Sequence, residues 1–369
     1  MDLDVHTSSL ADRYKCDGCG AMLAYQPGTN YLECSYCGTK NKIVNTDDDE
    51  LVESVEFEDF SRALNDLSDL RYTVQAEVVK CENCGATATL DKNLTSDICG
   101  FCATPLVIDH HLERIVKPHG IIPFVLNEKK VYPLYAKWAK NLWFAPNDFN
   151  RIFQAHNHRL KGVYIPFWSF DAQADTSYSG ERGEYYYETK TVKGPDGKNT
   201  TVREQKTRWY FASGSVFNNF KDIIVTASSS LPAKFASQIG PCDMNSLKSF
   251  KEHYLSGFMA ETYSVDQMHG KIAATQIMEG IIRETVRRDI GGDTQRIHRM
   301  EPKYSDIRIK YILLPIWLSA YQYKGKTYQI MVNAFNGRVF GQRPYSFWKI
   351  AGAILLVLII FIVFIIFSR

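Results

Sequence analysis

The chain has 369 residues, 45% of them hydrophobic, with 21 Tyr and 21 Phe, which excludes a disordered or low-complexity protein and allows two or three domains around a sizeable core. Its net charge of +2 conceals a division: residues 1–114 hold 21 Asp/Glu against 9 Lys/Arg, a net of −12, and residues 115–369 hold 20 against 34, a net of +14. The acidic half argues against phosphate-backbone binding by that half, because a nucleic-acid face needs Lys and Arg.

The first fifteen residues are polar and lack the apolar stretch of a secretory signal. The nine cysteines are therefore expected in a reducing compartment, where paired Cys-x-x-Cys motifs read as metal ligands, not disulfides. Cys16, Cys19, Cys34 and Cys37 form one set, and Cys81, Cys84, Cys99 and Cys102 form another, each second-set ligand 65 positions after its counterpart. This constant offset marks an internal duplication. A Cys-x-x-Cys turn aims two thiolates at one point, and the following glycine (Gly20, Gly38, Gly85) lets the backbone turn tightly. Two such turns close a tetrahedral site, and the fourteen residues between pairs suit a β-hairpin, as at 21–25 and 30–33 around Pro27-Gly28. Two structural zinc ions are expected, with no open coordination position for catalysis. A thioredoxin-like reading needs a βαβ setting that is absent. No Lys or Arg lies between Cys16 and Cys37, and only Lys92 between Cys81 and Cys102, so the ribbons are expected to dock protein and not nucleic acid.

The acidic run at 47–50 leads into 51–67, where Leu51, Val55, Phe60, Leu64 and Leu67 recur at near-helical spacing. Beyond 115, helices are expected at 127–144 (with Asn127 as N-cap and Pro133 interrupting its start), 147–160, 246–258 and 265–290. In the last, Met268, Ile272, Ile277, Ile281, Ile282 and Val286 form an apolar stripe that Gly291-Gly292 ends. Strands surround these helices. Ile165-Pro166-Phe167-Trp168 is matched 149 residues later by Leu314-Pro315-Ile316-Trp317, residues 193–198 form a hairpin tip, and Asn336-Gly337 signals a type I′ hairpin.

No catalytic motif emerges. The stretch 320–327 resembles a phosphate loop but lacks the first glycine and lies in a hairpin, so it reads as a turn. His156 and His158, two apart, face different directions on a helix. Cys242 stands alone and reads as an inert buried thiol. Residues 350–367 are eighteen without a charge, preceded by Trp348 and Lys349, and read as a transmembrane tail anchor. Lys349, Arg343 and Arg338 on the near side place the bulk of the chain in the cytosol, with the basic domain nearest the anionic leaflet.

The tandem Cys-x-x-Cys ribbons, VYIPFWSF, LPIWLSAYQYKGKTYQIMVNAFNGRVFGQRP and the terminal apolar helix together resemble bacterial YdjG-type membrane-anchored proteins with TFIIB-type zinc ribbons. The resemblance implies a partner of PspA-type envelope-stress proteins at the inner membrane. It carries over the eight zinc ligands and no catalytic residue. The expected fold is α+β: a zinc ribbon at 1–46, an acidic helical linker at 47–76, a second ribbon at 77–114, a mixed α+β domain at 115–347 and a transmembrane helix at 348–369. The expected function is a non-enzymatic adaptor. The alternatives are a membrane-tethered nucleic-acid binder using the basic domain, and a lipid-binding protein or enzyme with its site in the aromatic-rich domain.

Overall fold

The computed structural model describes residues 14–43, 58–59, 73–89, 97–99, 101–102, 104–106, 111–149, 160–193, 199–231 and 244–367. The acidic run 47–50, most of the helix expected at 147–160, His156, His158, the tip at 194–198 and Cys242 lie outside the described residues. Strands β1 (Leu23–Tyr25), β2 (Tyr31–Cys34) and β3 (Lys40–Lys42) form a small antiparallel sheet. Within the helix expected at 51–67, only Glu58–Asp59 is described, and it is a strand, β4. There follow β5 (Thr73–Lys80), β6 (Thr87–Thr89), β7 (Asp97–Ile98), β8 (Pro105–Leu106) and β9 (His111–Val116).

Next, β10 (Gly120–Ile121) leads to helix α1 (Glu128–Lys140) and the long hairpin β11 (Lys161–Lys193) and β12 (Asn199–Thr226). Short strands β13 (Lys248–Ser249) and β14 (Met259–Glu261) precede helix α2 (Gln267–Ile290). β15 (Thr294–Tyr323), β16 (Lys326–Asn333) and β17 (Val339–Gly341) complete the sheet, and helix α3 (Phe347–Phe367) follows. The architecture is mixed α+β, built on a twelve-strand sheet among the described residues.

The two Pro-Trp segments are the centre of that sheet. They pair antiparallel, with Ile165 opposite Leu314 and Tyr164 opposite Pro315, so the duplication closes on itself as a local two-fold. Its halves match bond for bond. Trp168 Nε1 donates to the Val265 carbonyl (2.8 Å) and Trp317 Nε1 to the Leu126 carbonyl (2.7 Å), each the residue before a helix N-cap. Ala227 N–H donates to Pro166 O (3.0 Å) and Ala334 N–H to Pro315 O (3.1 Å). Proline in a central strand removes a ladder donor. Here each proline sits where its strand changes partner. β14 pairs with 163–164 and β12 ends opposite Phe167; β10 pairs with 312–313 and β16 ends opposite Ile316. No ladder bond is lost at the junction.

The helix expected at 127–144 is α1, capped by Asn127, whose side chain accepts from Lys130 N (3.0 Å), and it ends at Lys140. Pro133 lies within it. The segment 246–258 corrects the expected helix: it holds two short 3-10 turns, Met244–Ser246 and Glu252–Leu255, separated by β13. The Asn336-Gly337 turn is also corrected. Only Gly337 has positive φ, and Gly337 N–H reaches Asn333 O, closing a four-residue loop. The two-residue type I′ turn is instead Lys324-Gly325, with φ of 49° and 75°, in the stretch read above as a turn.

In α2 the expected stripe holds at Ile282 and Val286 and is corrected at its other four positions. The buried positions are Gly270, Ala274, Met278, Ile282, Val286 and Ile290, every fourth residue, with Gln267 at the start. Met268, Ile272, Ile277 and Ile281 are exposed. A ridge of period four drifts by about 40° per step around a helix of 3.6 residues per turn. It therefore follows the twist of the three-stranded ribbon β12-β11-β15 beneath it. Gly270 begins the ridge because a Cβ there would come within 2.6 Å of Trp168 Cδ1.

Candidate metal centres

The local chain builds both centres the same way. Cys16 N–H donates to Ala21 O and Gly20 N–H to Cys16 O; Cys81 N–H donates to Ala86 O and Gly85 N–H to Cys81 O. Gly20 (φ 73°) and Gly85 (φ 76°) take the left-handed conformation that lets each knuckle close. The far knuckles repeat the match: Cys34 N–H donates to Thr39 O and Cys99 N–H to Thr104 O.

The structure brings all eight cysteines predicted from sequence into two groups of four, with the sulfurs of each within 4.8 Å of one another. Cys16 Sγ lies 3.5 Å from Cys37 Sγ and Cys19 Sγ 3.6 Å from Cys34 Sγ; the second group gives 3.6 Å (Cys81–Cys102) and 3.7 Å (Cys84–Cys99). A tetrahedron with metal–sulfur bonds of about 2.3 Å has edges of roughly 3.8 Å, so four thiolates at these spacings fit one tetrahedral ion. Cys16, Cys34, Cys81 and Cys99 are buried, whereas Cys19 and Cys37 face solvent.

One further residue, a threonine, stands beside a thiol in each site. Thr39 Oγ1 is 3.1 Å from Cys37 Sγ, and Thr104 Oγ1 is 3.3 Å from Cys102 Sγ. The Thr39 hydroxyl and backbone amide bring the Cys37 thiol down to about 6. Burial pushes Cys102 up, but the Thr104 hydroxyl, Asn83 and the Thr104 amide outweigh it and leave that thiol at about 6 as well. A hydroxyl and an amide beside the sulfur favour the thiolate, which is the form a metal takes. Sequence reasoning passed over both threonines, although they share the 65-residue offset. They differ in support: Asn83 Nδ2 donates to Thr104 Oγ1 (2.9 Å), while its counterpart is Gly18, where an added Cβ would come 3.0 Å from Thr39 Oγ1.

Both centres are held against the large sheet. Tyr25 packs edge-on to Tyr254 (5.2 Å between centroids), Tyr25 N–H donates to Ser256 O, and Gly28 N–H donates to Phe124 O. The second centre is joined more closely. Its strand β6 pairs with β14, Ala88 opposite Glu261, and Thr262 N–H donates to Thr87 O. Phe101, between Cys99 and Cys102, is buried, and its carbonyl accepts from Gln329 Nε2.

Helix α3 has the opposite character. An 18-residue stretch of it has a mean hydropathy of 3.5, none of its residues is buried against the rest of the chain, and at 1.5 Å per residue its 21 residues reach about 32 Å. It is long and apolar enough to cross a membrane.

No family model and no solved structure matches the chain. The chain is similar to an uncharacterized protein, YdjG, of Bacillus subtilis (strain 168), 24% identical over 339 residues that cover 92% of each chain. A likeness running over nearly the whole length of both chains supports a YdjG-like resemblance.

Proposed function

We propose that this protein is a non-enzymatic, zinc-binding adaptor held at the bacterial inner membrane by α3, with its folded bulk on the cytosolic side. Four-thiolate tetrahedral sites suit zinc, and a filled set of four leaves no position for substrate or water. Arg338, Arg343 and Lys349 on the near side of α3 support a cytosolic bulk. The observation that carries the reading is the fixed seating of both metal centres on a domain that ends in a bare apolar helix. Such a body holds two four-thiolate centres, each of net charge −2 once filled, on a folded domain at the bilayer, which suits a protein partner better than a phosphate backbone. The YdjG-type resemblance points to a PspA-type envelope-stress protein as that partner.

The test uses the full chain in detergent. Metal analysis is expected to give two zinc ions per chain, and one in C16S/C19S or in C81S/C84S. Purified PspA-type protein is expected to be retained by the wild-type chain and lost by one or both variants, while all remain in the membrane fraction. Equal retention by wild type and both variants would overturn the adaptor reading.

A further inference from the structure

A second apolar feature lies beside the start of α3. The turn after α1 carries Trp143, 85% exposed, and Phe144, also exposed, although its neighbours Leu142, Ala145 and Phe149 are buried in the core. The core thus fixes the turn and rejects its two aromatic side chains. About 200 residues later in sequence, the same turn is bonded to the helix. Ser346 N–H donates to Phe144 O (2.7 Å), and Lys349 Nζ donates to Ala145 O (2.7 Å). Lys349 is the third residue of α3, so these bonds set the turn at the level of the first helical turn. Tyr345, Phe347 and Trp348 (83% exposed) ring the same level. Exposed Lys137 and Lys140 close α1 just before the turn, and Arg343 lies beside Tyr345.

Exposed Trp and Tyr with basic residues, at the level where an apolar helix begins, match the interfacial zone of a bilayer. Amphipathic rings there bury their apolar faces among headgroups while Lys and Arg meet anionic lipid. We propose that the turn bearing Trp143 and Phe144 inserts into the headgroup region of an anionic phospholipid bilayer. It makes a second, non-spanning membrane contact that fixes how the sheet domain stands on the membrane. This rests on α3 being a span. A span alone leaves the domain free to swivel about one helix, whereas a second contact bonded to the helix start removes that freedom.

The test places the full chain in nanodiscs of phosphatidylcholine and phosphatidylglycerol containing lipids brominated near the headgroup, and reads tryptophan quenching. The wild type is compared with W143F and W348F, conservative changes at exposed positions. Both variants are expected to lose a blue-shifted, bromine-quenched component, and Trp143 is expected to be shielded from aqueous iodide. If W348F loses that component and W143F does not, the second contact is overturned and the span stands. Loss in neither variant overturns both. Shielding of Trp143 from iodide without bromine quenching assigns the turn to a protein contact and also overturns the proposal.

Discussion

Glu261, at the end of β14, is 2% exposed, and its Oε1 accepts from Ser228 Oγ (2.8 Å) while Oε2 has no partner among the described residues. Burial pushes its carboxyl up from 4.5 to about 7, against the Ser230 and Ser228 hydroxyls that favour ionisation. Because the folded value is the higher one, the native state holds this proton more tightly than the unfolded chain. Stability from this group is full below about 4.5, falls as pH rises towards 7, and is flat above. Glu261→Gln removes that loss, so its stability relative to wild type is expected to be greater at pH 8 than at pH 5. The difference should be up to about 3 kcal/mol. Thermal unfolding of the detergent-solubilised chain at the two pH values checks this: a higher melting temperature at pH 8 with no gain at pH 5. The threonines behind the thiolates act at the same scale, each through a single hydroxyl on a metal ligand.

Among the elements, α2 separates what hydrophobic pattern can and cannot say. The helix and its limits follow from Asp266, whose side chain accepts from His269 N (2.8 Å), and from Gly291, which ends it with φ 69°. The buried face does not follow, because apolar residues stand on both flanks and two of the six ridge positions are Gly270 and Ala274. Ile282→Ala empties a fully buried position and is expected to destabilise by about 2–5 kcal/mol. Ile272→Ala, at a position 53% exposed, is expected to change stability by no more than about 0.5 kcal/mol. Denaturant unfolding of the two variants decides between the ridge and the stripe. Equal losses would mean that the outer flank is also buried in the protein as it exists.

At the scale of the whole molecule, the two metal centres are joined to the sheet unequally. The first organises its own three strands, and among the described residues it touches the domain through side chains and a few backbone bonds. The second contributes β6 to the sheet that contains β14 and the start of β11. Losing the second metal should therefore loosen the large sheet, and losing the first should not. Hydrogen exchange on C81S/C84S is expected to show faster exchange at Thr262, whose amide is bonded to Thr87, and at 259–261. In C16S/C19S the increase is expected to stay within 14–43. Equal protection at Thr262 in wild type and C81S/C84S would show that β6 is held without its metal.

The sequence by itself determined the eight thiolates, the apolar helix and several chain reversals. Each depends on spacing within a few residues: a Cys-x-x-Cys turn, a run without charge, or glycine where φ must be positive. The matched segments around Trp168 and Trp317 were also visible as a repeat. Tertiary structure alone decided that they pair with one another across 149 residues, and that their prolines fall at changes of strand partner. It likewise decided which face of α2 is covered, how the second ribbon enters the large sheet, and that the Trp143 turn is fastened to α3. These are outcomes of non-local packing on a twisted sheet. Periodicity along the chain records only that an element has an apolar side, not what that side meets.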